Sequence, residues 1–283
     1  MERETTFIHL TDLHIGRPGH DDPHLFSDTT ATLETILGMI ATIEPRPSFV
    51  VASGDLTNRG DAESFQALKS VMARLDLPVV YALGNHDTRE GFYRGFLDRA
   101  EDLDAPYFHD QVIDGVHLIT LDSSIPGQIG GAIEPEQFAW LERVLETHAD
   151  LPKLIVSHHP PEIGDEGEFA PWRSIRGEDT AKLAALIKGR NVVGILSGHI
   201  HYDRVTVWHG VPVVIGMGQH AATDILVKDV LRMVNGVSFA IGTVRDSGLT
   251  VSFVPLPSDR AELNRYPLDM LRKLNEGMAA AAE

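Results

Sequence analysis

Five short apolar runs, each ending in a polar turn, constrain the fold of this chain more than any other feature. They are TFIHL (6–10), FVVAS (49–53), VVYAL (79–83), KLIVS (153–157) and VVGILS (192–197). Their apolar residues are adjacent rather than alternating with polar ones, which predicts strands buried on both faces. Between the runs lie stretches with apolar residues at helical spacing. They are Ser27 to Ile43, Asp61 to Leu75 behind an N-capping aspartate, Glu134 to His148 with Pro135 in its first turn, and Asp179 to Lys188. Strand–loop–helix alternation predicts parallel strands with helices packed outside them. YFHD (107–110) and VHLITLDS (116–123) read as added strands. After His201 the pattern changes, and RVTVW, VPVVIG, VSFAIGTV and LTVSFVPL read as hairpin strands. Ala261 to Glu283 reads as a helix whose end, MAAAAE, is expected to fray.

Each of the five strands is succeeded by polar groups. Asp12 and His14 come after the first, Asp55 after the second, Asn85 and His86 after the third, His158 and His159 after the fourth, and His199 and His201 after the fifth. Each has an ordinary explanation taken singly. Asp12 and Asp55 suit helix or turn caps, Asn85 suits a turn, and a lone histidine is usually a satisfied core or surface group. Their coincidence at five corresponding places, three of them beside glycine, reads instead as one site, because ligands of open α/β sheets bind outside the carboxyl ends of the strands.

The chain has no cysteine. Thiolate ligands are excluded, so a metal here must be held by nitrogen and oxygen. Two carboxylates, an amide oxygen and four imidazoles are enough donors for two ions. The mixture suits Fe, Mn, Zn, Co or Ni better than Ca or Mg. Two ions ~3.5–4 Å apart need a bridging carboxylate, and solvent shared between them ionises near neutrality, poised for in-line attack on phosphorus.

DLH, GDLTNRG, GNHD, SHHPP and GHIH, in that order over residues 9–201, resemble the calcineurin-like metallophosphoesterase superfamily. The resemblance implies an α/β fold, a four-layer α/β/β/α sandwich of two mixed β-sheets flanked by helices. It implies that Asp12, His14 and His201 hold one ion, that Asp55 bridges, and that Asn85, His158 and His199 hold the other. His158 fits better than His159 because the family ligand sits two residues before a proline, here Pro160. His86 then contacts the phosphate and protonates the leaving oxygen, with Asp87 orienting its ring. His159 becomes a neighbour of the substrate or of the ligands, and His9 belongs to strand packing or ligand support.

The remaining histidines, His20, His24, His109, His117, His148 and His209, are expected on surfaces or in turns. His220, in GMGQHAATD, lies where the chain returns after GHIH and can reach the substrate. Arg17, Arg59 and Arg89 lie in or beside the motif loops; each suits phosphate or base binding, against a default of solvated loop arginines.

Among family branches, the short GNHD block and compact length resemble class III cyclic nucleotide phosphodiesterases and their glycerophosphodiesterase relatives. The absence of a tyrosine near Asp55 argues against a purple acid phosphatase. A formal charge of −17, with no lysine- or arginine-rich run, argues against a nucleic-acid substrate. The resemblance therefore implies a dimetal enzyme that opens 3′,5′-cyclic nucleotides, cAMP to 5′-AMP, with Fe and/or Mn as its ions. The alternatives are glycerophosphodiesters or 2′,3′-cyclic nucleotides as substrates, and a non-catalytic scaffold. No apolar run approaches a membrane span and no secretory signal is read, so a cytoplasmic protein without a membrane partner is expected. Residues 1–225 are expected to form the catalytic domain. Residues 226–283 are expected to extend it, as a wall of the cleft, a cap or a dimerisation surface. Their apolar strands need burial somewhere, which favours a homodimer.

Overall fold

A computed structural model describes residues 4–164 and 167–281. The first sheet-forming strands are β1 (Glu4–Leu10), β2 (Phe49–Ser53) and β3 (Val79–Ala82). Next come β4 (His109–Ile113), β5 (Val116–Thr120), β6 (Lys153–Val156) and β7 (Val192–Ser197). The later strands are β8 (Arg204–Trp208), β9 (Val211–Ile215), β10 (Ala222–Thr223) and β11 (Val230–Val234). The last are β12 (Ser238–Arg245), β13 (Gly248–Pro255) and β14 (Glu262–Pro267). The helices are α1 (Thr29–Ile40), α2 (Ala62–Met72), α3 (Arg89–Gly91), α4 (Pro135–Glu146), α5 (Ala170–Arg173), α6 (Gly177–Ile187) and α7 (Leu268–Ala281).

One sheet has the order β13-β12-β1-β2-β3 and the other β4-β5-β6-β7-β9-β8. Strands β1, β2 and β3 are parallel, as are β5, β6, β7 and β9. Successive side chains of a strand leave opposite faces, and here both faces are covered. Phe7, Phe49, Val51 and Val80 point between the sheets, where they meet Leu118, Leu154, Val156 and Leu196. Ile8, Leu10, Val50 and Ala52 lie under α1 and α2. Ile119, Ile155 and Ile195 lie under α4 and α6. The result is the four-layer α/β/β/α arrangement that the motifs implied, and its doubly covered strands account for the unbroken apolar runs. Asp28 and Asp61 cap α1 and α2 by accepting the amides of Ala31 and Ser64.

The chain after His201 divides between three places. β8 and β9 extend the second sheet, but β12 and β13 pair antiparallel along β1 and complete the first. Only β10, β11 and β14, a three-stranded sheet, stand apart together with α7. The expected C-terminal helix starts later than read, because Glu262–Pro267 is β14, paired with β11. Pro267 disfavours helical geometry at Tyr266 and suits the first residues of a helix after it. The expected fraying at 278–283 reaches residues 282–283, which lie outside the described residues. No helix among the described residues is long and apolar enough to cross a membrane.

Candidate metal centre and cleft

The parallel strands of both sheets end at the same side, and backbone hydrogen bonds tie the loops beyond them. Asp12 N–H donates to the Gly54 carbonyl (3.0 Å), His14 N–H to that of Asp55 (2.9 Å), and Gly198 N–H to that of His158 (3.0 Å). Asp12, His14, Asp55, His199 and His201 all have left-handed backbone, with φ of 49°, 46°, 48°, 74° and 53°. Such conformations cost on the order of 1–3 kcal/mol each and persist where the surroundings over-determine them, as at functional sites. Two glycines permit the close approach. A Cβ on Gly198 would lie 2.2 Å from Asp12 Oδ2, and one on Gly84 2.2 Å from Asp55 Oδ1. Gly84→Ala is therefore expected to displace the Asp55 carboxylate. Metal titration should show at least tenfold weaker binding, with ~1–3 kcal/mol lost from stability through overpacking. Unaltered metal affinity would refute this account of Gly84.

The side chains converge. Asp12 Oδ1 lies 3.3 Å from His201 Nε2 and 4.0 Å from His14 Nε2. Asp55 Oδ2 lies 3.7 Å from His14 Nε2 and 3.2 Å from His158 Nε2, so it stands between one histidine of each expected ligand group. Each of three histidines has Nδ1 committed to an oxygen: His14 to Asn58 Oδ1 (3.1 Å), His158 to the Ser53 carbonyl (3.0 Å) and His201 to the Ala221 carbonyl (2.9 Å). These partners fix the ring that presents Nε2 as the free donor, the arrangement that metal-binding histidines adopt. His199 is turned the other way: its Nε2 meets the Trp172 carbonyl at 2.5 Å, leaving Nδ1 for the cluster. Nε2 of His14 and Oδ1 of Asn85 are buried without a hydrogen-bond partner among the described residues. Buried polar groups are rarely left so. Together with the nitrogen and oxygen donors around them, they fit divalent cations. Asp12, His14, Asp55 and His201, and separately His158, His159 and His199, form groups whose donor atoms lie within 4.8 Å of one another.

The electrostatics arise from burial. Burial holds the His14 imidazole well below its usual range, helped by neighbouring His86 and His220. His199 is held low in the same way, by burial and then by His159 and His158. Burial raises the Asp12 carboxyl, more than His201 and His158 lower it. Burial also pushes His158 down and Asp55 up, but their contact outweighs both effects. His158 rises to about 9 and Asp55 lies well below the carboxylate range.

Several expectations are corrected or resolved. Asp87 does not orient His86. Its carboxylate accepts the amides of Leu56 (3.0 Å), Thr57 (2.9 Å) and Gly84 (2.9 Å) and the Thr57 hydroxyl (3.0 Å), clamping the loop after β2 to the loop after β3. Burial, with Asp55 nearby, raises Asp87 to about 6. His86 Nδ1 instead meets the Asn58 carbonyl at 3.0 Å. His159 has both ring nitrogens engaged, with Ser123 Oγ at 2.9 Å and the Ile129 carbonyl at 2.8 Å, so it braces a loop and would have to give up one of these bonds to join His158 and His199 around a cation. His117 is fully buried in β5, where its Nε2 meets Asp110 (2.8 Å), and is not a surface residue. Arg89 is 10% exposed and held by Asp122 and Glu134, so it is neither solvated nor free for phosphate. Arg17 and Arg59 pair with Glu63 and Asp22. His9 is buried between strands and meets Ser53 Oγ (2.8 Å), as strand packing requires.

Two residues gain importance. Asn58 orients His14 with its side chain and His86 with its backbone, and its amide nitrogen donates to Asp22 (2.8 Å). Its signal was its place in GDLTNRG, three residues past Asp55. His220 stacks on Phe26 and lies 4.6 Å, ring to ring, from His14. Its Nε2 accepts the Phe26 amide at 3.3 Å, and burial lowers it to about 3.

The centre opens into a cleft of about 870 Å³, whose walls include His86, Asn85, His220, Phe26 and Trp172. Its far wall comes from the C-terminal segment, including Val230, Leu231, Tyr266 and Leu268. That size lies at the upper end of small-molecule sites.

Two packed sheets between helices, with nitrogen and oxygen donors gathered at their strand ends, define a metallophosphoesterase. The chain belongs to the calcineurin-like phosphoesterase family, whose sequence profile matches residues 5–203. It is 32% identical over 225 residues to a probable cyclic nucleotide phosphodiesterase of Rhodococcus erythropolis, covering 78% of this chain and 73% of that one. It is 31% identical over 227 residues to a cAMP/cGMP dual specificity phosphodiesterase of Mycobacterium tuberculosis, covering 78% and 69%. It is also 31% identical over 210 residues to a probable glycerophosphodiester phosphodiesterase of Arcobacter nitrofigilis, covering 71% and 74%. Among solved structures, a purple acid phosphatase from yellow lupin shares the fold, with a TM-score of 0.64 at 13% identity over 94% of this chain and 54% of that one.

Proposed function

We propose that this protein is a dimetal phosphodiesterase that hydrolyses 3′,5′-cyclic nucleotides, cAMP to 5′-AMP. The observation that carries the hydrolytic reading is Asp55 Oδ2, set within 4 Å of His14 Nε2 on one side and His158 Nε2 on the other. In this reading Asp12, His14 and His201 hold one ion, Asn85, His158 and His199 the second, and Asp55 both. Fe and Mn suit these donors, as do Zn, Co and Ni. When bound, two such ions supply an ionised solvent nucleophile and neutralise phosphoryl oxygens. The chain's own residues do the rest. Asn58 holds His86 by Nδ1, which leaves Nε2 to carry a proton to the leaving 3′-oxygen as the P–O bond breaks. Asn85 and His220 border the volume open to the phosphate.

The relatives named for cyclic nucleotides support the substrate, and the relative named for glycerophosphodiesters supports a second reading. Metal-reconstituted protein offered cAMP, cGMP, 2′,3′-cAMP and glycerophosphocholine separates them. The expected result is 5′-AMP from cAMP, with kcat/KM above that for glycerophosphocholine. Preference for glycerophosphocholine establishes the second reading, and fully loaded protein that cleaves none of the four ends both.

A further inference from the structure

Resting on the diester-hydrolase reading of the centre, we infer that the outer cleft is a slot for a flat heteroaromatic group, such as a nucleotide base. Phe169 and Trp172 form one side, edge to face at 5.9 Å. Tyr266, Leu268 and Leu271, from β14 and α7, line the same cleft. The two sides are tied at Arg272, whose guanidinium makes a two-pronged ion pair with Glu168 at 3.0 and 2.9 Å. These residues flank Leu271 and Phe169 in the chain, so the ion pair joins the two segments that carry the slot's sides. The inner end abuts the metal centre, because the Trp172 carbonyl holds His199 Nε2. A phosphate held at the metal centre would then have its ester group beside these side chains.

Apolar walls of this kind bind by contact with ring faces. A ring buries its faces against Trp172 and Leu268, whereas a glycerol or methyl ester leaves them wet. The indole N–H of Trp172 is buried without a hydrogen-bond partner among the described residues. That donor suits a ring nitrogen or carbonyl better than a hydrocarbon. Stacking of a base on an aromatic side chain corresponds to about 5- to 150-fold in binding, the equivalent of ~1–3 kcal/mol.

Phosphate monoesters test the slot without needing turnover. Titration calorimetry on the metal-loaded full chain compares methyl, cyclohexyl, phenyl and 1-naphthyl phosphate. The expected order is naphthyl tighter than phenyl, and phenyl tighter than cyclohexyl and methyl, with naphthyl at least about fivefold tighter than methyl. In Trp172→Ala and in Leu268→Asp, which alter opposite sides, the naphthyl-to-methyl ratio should fall toward one. Equal constants in the unaltered protein, no measurable binding, or a ratio retained in both variants overturns the slot. Loaded protein that cleaves no diester overturns the catalytic reading instead, and the monoester ratio still decides the slot.

Discussion

Asp55→Ala is expected to lower bound metal to less than one ion per chain and to reduce phosphodiester turnover by more than ~100-fold. Loss of an outer hydrogen-bond partner of a ligand alone costs ~10–100-fold, and in the proposed arrangement Asp55 would touch both ions. Its Oδ2 is the oxygen nearest to His158 Nε2 and lies 3.7 Å from His14 Nε2. Its Oδ1 has separate work, accepting the His86 amide at 2.8 Å. Asp55→Asn isolates the ligand role, since an amide oxygen still accepts that N–H but carries no charge. Thermal melting supplies a reading independent of activity. A ligand that binds only the folded protein stabilises it by ~2.7 kcal/mol at a hundred times its Kd. Manganese should raise the melting temperature of the unaltered chain markedly and that of Asp55→Asn much less. Two tightly held ions in either variant would remove Asp55 from the bridging position.

What the chain discloses in one dimension is set by which interactions are local. β1, β2 and β6 were legible because Phe7, Phe49 and Leu154 face the other sheet while their neighbours face helices. Residues covered on both faces need no alternation, and few other environments tolerate such runs. The hairpins after His201 were legible as strands but not by sheet. Their alternation is the same whether they continue β9 or, as β12 does, pair with β1 some two hundred residues earlier. The candidate ligands were legible because each comes directly after its own strand, and parallel strands of packed sheets bring such ends together. The supporting bonds were not. Asp87 is next to His86 in the chain, yet its carboxylate turns back to the Leu56 and Thr57 amides. Asn58 stands inside GDLTNRG, but nothing in that spacing says that it holds the rings of His14 and His86. Which way a side chain turns out of a loop depends on amides from other loops, and no spacing rule contains that information.

His86 and Asp87 can be separated by what each variant loses. His86→Ala should cost ~10²–10⁴-fold in kcat, the usual contribution of a positioned proton donor, while metal content and melting temperature stay close to those of the parent. The His86 backbone amide, which bonds Asp55, survives that change. Asp87→Ala should behave in the opposite way. It strands three buried amides and a hydroxyl, and each buried donor left without an acceptor costs ~1–3 kcal/mol. The protein should therefore melt far lower and lose metal as the loops after β2 and β3 part. Asp87→Asn keeps one acceptor oxygen and should fall between, with kcat per folded, metal-loaded molecule within about tenfold of the parent. A stable, fully loaded Asp87→Asn that had lost as much kcat as His86→Ala would return Asp87 to a direct partnership with the His86 ring. Normal turnover in His86→Ala would mean that the leaving oxygen takes its proton elsewhere, and His220, 4.6 Å from His14 across the same cleft, would then be the next imidazole to replace.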